Sequence, residues 1–155
     1  ITEAFAERLG RCEKTWFMTH FNHPRELTAD SLEACRRLRA NGIPVLNQTV
    51  LLKGVNDDPV LLADFFHELA AHRILPHYLF HIDPIRGVAH FATGMKKGLE
   101  IMEYFRKHLS SVATPVFALD LPEGGGKVHL FPDYSAGEEQ LFFGLDGKKI
   151  RHPLA

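Results

Sequence analysis

Apolar and polar positions along the chain alternate between a helical and a strand period. Residues 3–9 carry the helical pattern, and Trp16–Phe21 form a short apolar, β-prone run ending at Asn22-His23-Pro24, where proline stops regular structure. Thr28 is the expected N-cap of a helix over 29–40, with Leu32, Cys35 and Leu38 at helical spacing and Asn41-Gly42 as a left-handed stop. Ile43–Val50 returns to a strand pattern, and Gly54, Asn56 and Asp57 break it. Asp58-Pro59 then opens a helix with proline at its permitted first position and Leu61, Leu62, Phe65, Phe66 and Leu69 on its buried face. Pro76–Ile82 reads as a third strand and Lys97–Leu109 as a helix with Leu99, Met102, Phe105 and Leu109 inward. Pro115–Asp120 reads as a fourth strand.

Such alternation predicts an α/β fold, a parallel sheet with right-handed crossovers whose ligands gather at the carboxyl ends of the strands. Those ends are His20 to His23, Gln48, His81 to Asp83, and Asp120 to Lys127. Beyond Lys127 the pattern shifts to short strands, Val128–Phe131, Gln140–Phe143 and Lys148–Arg151, with Asp146-Gly147 marking a hairpin turn. Two parts are therefore expected: an α/β part over 1–127 and a β-hairpin-rich extension over 128–155.

Composition narrows the setting. A chain of 155 residues, 45% hydrophobic and 24% charged, is long enough for one buried core. Its formal net charge of -1 comes without a basic stripe, so a nucleic-acid partner is not expected. The longest apolar run, around Val50 to Leu52, is far shorter than a membrane span, and residues 1–10 lack a signal pattern. No membrane partner and a cytoplasmic address are the expectation. Cys12 and Cys35 are too few for a disulfide framework or a thiolate metal site, and both read as ordinary small buried residues in a reducing compartment. The start at Ile1, without Met and inside a helical pattern, suggests a segment of something longer.

The candidate chemistry begins with Asp120-Leu121-Pro122-Glu123-Gly124-Gly125-Gly126-Lys127, where three glycines let backbone approach a ligand before a lysine is presented. It is not a nucleotide P-loop: Leu121 stands where the first glycine belongs, and Val128 where Ser or Thr would hold magnesium. A Schiff-base lysine and a plain solvated lysine both remain open for Lys127. Asp83 and Asp120, each expected at the end of its own strand, suit a cationic group, an acid and base pair, or a metal site with His81; separate turn and capping roles are the alternative. His20-x-x-His23 and the strand positions His77, His81 and Asp83 admit a metal, whereas His67, His72 and His108 belong to polar helix faces. Asn47-Gln48 in an apolar strand must find partners, either a ligand or neighbouring backbone.

Taken together and in order, His20-Phe21-Asn22-His23-Pro24, Gly42-Ile43-Pro44, Asn47-Gln48, Leu51-Leu52-Lys53-Gly54-Val55-Asn56-Asp57, Asp83, His90-Phe91, Asp120 and Gly124-Gly125-Gly126-Lys127 resemble the carboxy-terminal portion of the lysine 2,3-aminomutase family. The resemblance implies the distal part of a partial (β/α)6 radical S-adenosylmethionine barrel with a short β-rich extension. It implies pyridoxal phosphate, S-adenosylmethionine and a [4Fe-4S] cluster whose ligands lie outside this chain. The implied reaction converts L-lysine to β-lysine by migration of the amino group. By the same resemblance Lys127 would hold pyridoxal phosphate, His20 and Gln48 would contact S-adenosylmethionine, and Asp83 and Asp120 would hold the ammonium of the lysine substrate. The clostridial type carries a cysteine after its Gly-Val-Asn-Asp motif and a cysteine-rich tail; Asp58 stands here and the chain ends at Ala155, so no metal is expected within it. A homo-oligomer acting on a small amino acid is expected, with this segment alone inactive. Two rivals stand beside this reading: a metal-dependent (β/α)-barrel hydrolase using His20, His23, His81 and Asp83, and a noncatalytic fragment.

Overall fold

The computed structural model describes residues 1–83, 85–138 and 140–153. Of the expected 128–155 extension, positions 139, 154 and 155 lie outside the described residues. The chain runs α1 (Glu3–Gly10), β1 (Phe17–Thr19), α2 (Ala29–Ala40), β2 (Val45–Leu51), α3 (Pro59–Ala71), β3 (Ile74–His81), α4 (Met95–His108), β4 (Val116–Leu121), β5 (Gly126–His129), β6 (Leu141–Phe143) and β7 (Lys149–Arg151). The helix starts follow local chemistry. Thr28 accepts a hydrogen bond from the Ser31 backbone N–H to cap α2, and Asp58 does the same for Leu61 ahead of Pro59.

Five strands form one sheet in the order β1-β2-β3-β4-β5. The first four are parallel and successive, and β5 returns antiparallel on β4. β6 and β7 make a separate antiparallel pair. That pair is tied back to α4 by Arg106, whose guanidinium lies 3.9 Å from the Tyr134 ring centre and donates to the Phe143 carbonyl at 2.8 Å. Burial raises the Tyr134 hydroxyl pKa, and the Glu103 carboxylate adds to the effect.

The helices pack on one face of the sheet. Leu38, Leu62, Phe66 and Phe105 meet Val45, Leu51, Ile74, Leu79 and Phe117 in a single core. Gly98 of α4 sits directly over the Phe117 ring, where a Cβ would overlap it. The opposite face carries Gln48, Val50, Tyr78, Phe80 and Asp120 on alternate positions, none of them fully buried. No helix among the described residues is long and apolar enough to cross a membrane.

β1 is shorter than the expected Trp16–Phe21 run. Its end is taken over by side chains rather than by the next strand: the Asn47 carboxamide accepts from the Phe21 N–H at 2.7 Å and donates to the Phe21 carbonyl at 3.0 Å. β2 runs on to Leu51, so Gln48 lies within the strand and not at its end, because β3 continues to pair with it as far as Leu51 opposite His81.

Candidate active site

Asn47 is fully buried and uses all four of its side-chain hydrogen-bonding positions. Its oxygen accepts from Thr19 Oγ1 at 2.8 Å and the Phe21 N–H, and its nitrogen donates to the Phe21 carbonyl and to Thr49 Oγ1 at 2.9 Å. Neighbouring backbone and hydroxyl groups thus answer the question raised by this polar strand position, and Asn47 has no capacity left for a ligand. Asn56, also fully buried, accepts from the Leu52 N–H at 2.7 Å and donates to the carbonyls of Asn22 and Val50. Asn22 in turn accepts from the Val50 N–H at 2.7 Å. By sequence Asn22 and Asn56 read as strand-ending residues and as members of the family-like motifs; in the structure they lock the exits of β1 and β2 together.

This scaffold presents the next residues along. His20 follows β1 and Gln48 lies in β2; Met18 pairs with Leu46, so the positions two further on share the open face. The Gln48 amide nitrogen hydrogen-bonds the Nε2 of His20.

The glycine run closes a hairpin. Gly125 N–H donates to the Pro122 carbonyl at 3.1 Å, and both central residues have positive φ, 57° at Glu123 and 79° at Gly124. This is a type I′ turn, whose twist suits two antiparallel strands. It sets Asp120 directly opposite Lys127 in the ladder. Lys127 Nζ donates to both Asp120 oxygens, at 2.7 and 3.0 Å, and lies 3.9 Å from the centre of the Phe80 ring. Lys127 is therefore a strand residue with a fixed direction, because a slip of one register position would send it to the other face.

His20, Gln48, Phe80, Asp83, Asp120 and Lys127 all line one cavity of about 300 Å³ on the open face, and His81 lines it as well. A second hollow of about 370 Å³ shares His81, Asp83 and Asp120 and is otherwise walled largely by apolar groups such as Ala92, Met95 and Leu119. His81 is held by the Thr93 carbonyl, 2.9 Å from its Nε2. His77 does not reach the cavity: four residues earlier on β3, it stands roughly 13 Å down the strand.

The ligand set of a metal hydrolase is not assembled. His23 caps a 3-10 turn by accepting from the Arg25 N–H and lines a different cavity, with Arg25, Gly54 and Val55. Among the described residues, no three His, Cys, Asp or Glu side chains converge as a metal site. Of the two cysteines expected to be buried only Cys35 is, and burial raises its pKa; Cys12, just past the end of α1, is exposed.

No family model matches the chain. Individual relatives do. A provisionally named L-lysine 2,3-aminomutase of Aquifex aeolicus is 56% identical over 149 residues, covering 94% of this chain and 40% of that protein. The glutamate 2,3-aminomutase of Clostridioides difficile is 42% identical over 97% of this chain and 36% of its own length. The L-lysine 2,3-aminomutase of Bacillus subtilis is 42% identical over 86% of this chain and 28% of its own length. The chain thus spans two fifths or less of these curated relatives. Similarity at this level over nearly the whole chain places it by descent: it belongs to the lysine 2,3-aminomutase family.

Proposed function

We propose that the protein containing this chain is an L-lysine 2,3-aminomutase that uses pyridoxal phosphate and S-adenosylmethionine, with this chain supplying one wall of its active site. The observation that carries the reading is the single cavity lined by His20, Gln48, Asp83, Asp120 and Lys127. The sheet supports a barrel arc as its setting. Four parallel strands add in sequence without reversal, with helices on one face only, whereas an open parallel sheet has both faces covered. The bare face then becomes a barrel interior, closed by strands from the remainder of a chain as long as its relatives.

The residues present fit part of each cofactor. Lys127 offers a primary amine beside an aromatic wall, Phe80, which suits a planar aldehyde cofactor. His20 and Gln48 offer paired polar groups for S-adenosylmethionine. Two cysteines, one exposed and one buried, do not make a [4Fe-4S] site, and the ligands of a cluster would come from outside this chain. When bound, pyridoxal phosphate would supply an electron-withdrawing imine partner for amino nitrogen, and S-adenosylmethionine, given one electron by a cluster held outside this chain, would supply a carbon-centred radical that removes hydrogen. The chain's own side chains do the holding. Lys127 must shed a proton to solvent to become nucleophilic, leaving the Asp120 carboxylate, 2.7 Å away, ionised. Asp83 and Asp120 hold the ammonium end of lysine through charge-assisted hydrogen bonds, and the adjoining apolar hollow takes methylenes. The same pair of carboxylates repels a glutamate side chain, which favours lysine over the substrate in the name of the C. difficile relative.

Borohydride reduction after adding pyridoxal phosphate, followed by peptide mapping, tests the assignment. A pyridoxyl mark on the Lys127 peptide and turnover of L-lysine but not L-glutamate are expected. A mark confined to another lysine, or preferred turnover of glutamate, would overturn it.

A further inference from the structure

Resting on the proposed function, we infer that Lys127 occupies, in the cofactor-free protein, the place later taken by the side-chain ammonium of the substrate. Asp120 is then a counter-ion passed from the enzyme's own lysine to the substrate, and loading of the cofactor must precede tight binding of lysine.

Three observations carry this. The Lys127 ammonium is already seated as an ammonium ligand would be, on both oxygens of Asp120 and over the Phe80 ring at 3.9 Å, with Tyr78 at 5.1 Å. Its seat is fixed by the cross-strand register, so the pair is a designed juxtaposition of the hairpin and not a chance surface contact. The second carboxylate of the cavity, Asp83, has no hydrogen bond or ion pair from its side chain to another described residue. Two carboxylates thus face one fixed cation, and the cavity has room in charge for one more only if both carboxylates can reach it.

Condensation of Lys127 with an aldehyde changes that account. The ammonium loses one proton to solvent and its other two hydrogens leave as water with the aldehyde oxygen, while the nitrogen gains a double bond to the carbonyl carbon. Nζ then no longer offers Asp120 a three-hydrogen ammonium, and Asp120 joins Asp83 in facing whatever ammonium arrives. Before condensation, a lysine ligand must compete with Lys127 for Asp120. The contact therefore withholds the substrate site from free amines until the cofactor is in place.

The test is calorimetric titration of L-lysine into the cofactor-free protein containing this chain. Lys127→Met is expected to bind L-lysine roughly fivefold tighter than wild type, since it releases an exposed ion pair. Lys127→Gln should behave likewise, whereas Lys127→Arg, which keeps the cation, should remain at the wild-type affinity. Adding Asp120→Asn to Lys127→Met should abolish the gain. Equal or weaker binding by Lys127→Met and Lys127→Gln, undetectable binding in every variant, or a gain that survives Asp120→Asn would overturn the inference. The readout needs no cofactor, so it is separate from the borohydride experiment: absence of a pyridoxyl mark on Lys127 sinks the cofactor assignment, while the affinity order alone decides the exchange of counter-ion.

Discussion

Replacing Asn47 by aspartate changes one nitrogen to oxygen at a fully buried position and asks how much the lock beneath the site is worth. The two bonds accepted from Thr19 Oγ1 and the Phe21 N–H survive, but the positions that donated to the Phe21 carbonyl at 3.0 Å and Thr49 Oγ1 at 2.9 Å become acceptors. The introduced carboxyl escapes this clash by keeping its proton and donating to the Phe21 carbonyl. Holding that proton at pH 7 against an unfolded-state pKa near 3.9 costs at most about 4 kcal/mol, at 1.36 kcal/mol for each pH step. The neutral form still lacks one donor, a loss of about 1 kcal/mol. The sign is fixed: the folded-state pKa is raised, so the folded protein binds the proton more tightly and the deficit grows as pH rises above the unfolded pKa, levelling above the folded one. Urea unfolding of Asn47→Asp and wild type, followed by circular dichroism at pH 4 and pH 7, should give a deficit of about 1 kcal/mol at the lower pH and roughly 3–5 at the higher. A deficit that is independent of pH would show that the Asn47 donors are not what holds the end of β1.

Gly98→Ala adds a methyl group against the Phe117 ring, and should destabilise by roughly 1–3 kcal/mol in the same unfolding assay despite the better helix propensity of alanine; a stabilised variant would show that the ring yields freely. Hydrogen bonding from Arg36 is the main reason that the Glu33 carboxyl pKa falls to about 2, and Arg37 adds to it. That contribution is present above the ordinary carboxylate range and is lost as pH falls through about 2. Carbon-detected NMR titration should find the low midpoint and see it rise in Arg36→Gln, and an ordinary midpoint in wild type would refute the pairing.

What could be read from sequence was what is decided locally. Thr28 and Asp58-Pro59 start their helices as their side chains require, and of the face that apolar spacing assigns to α3, Leu62, Phe65, Phe66 and Leu69 are buried while Leu61 is half-buried. Features decided by partners distant in the chain were not legible. Nothing in Trp16–Phe21 says that its last backbone groups will be bonded by a side chain 26 positions on. The glycines before Lys127 read as a place for close backbone approach; that they also form a turn bringing β5 onto β4 depends on a strand pairing the sequence does not state. Period-two counting grouped His77 with His81 but ignores distance along the strand, which separates them. The residues of the cavity were singled out partly because they end strands and partly by resemblance; the Asp120–Lys127 contact, which depends on register, was not foreseen.

The strands of the sheet interleave two kinds of information. In β2, Asn47, Thr49 and Leu51 are fully buried toward the helices while Gln48 and Val50 face the cavity, and in β4 Phe117 lies in the core while Asp120 does not. A saturation scan scored separately for abundance and for turnover would therefore alternate from Asn47 onward: Asn47, Thr49 and Leu51 would fail by loss of protein, and Gln48 and Val50 by loss of activity in protein that accumulates normally. Selection on function can then revise cavity-facing residues such as Gln48 and Val50 without reopening the packing problem solved by their neighbours, which gives one such sheet the means to diverge in substrate while its helical layer stays the same.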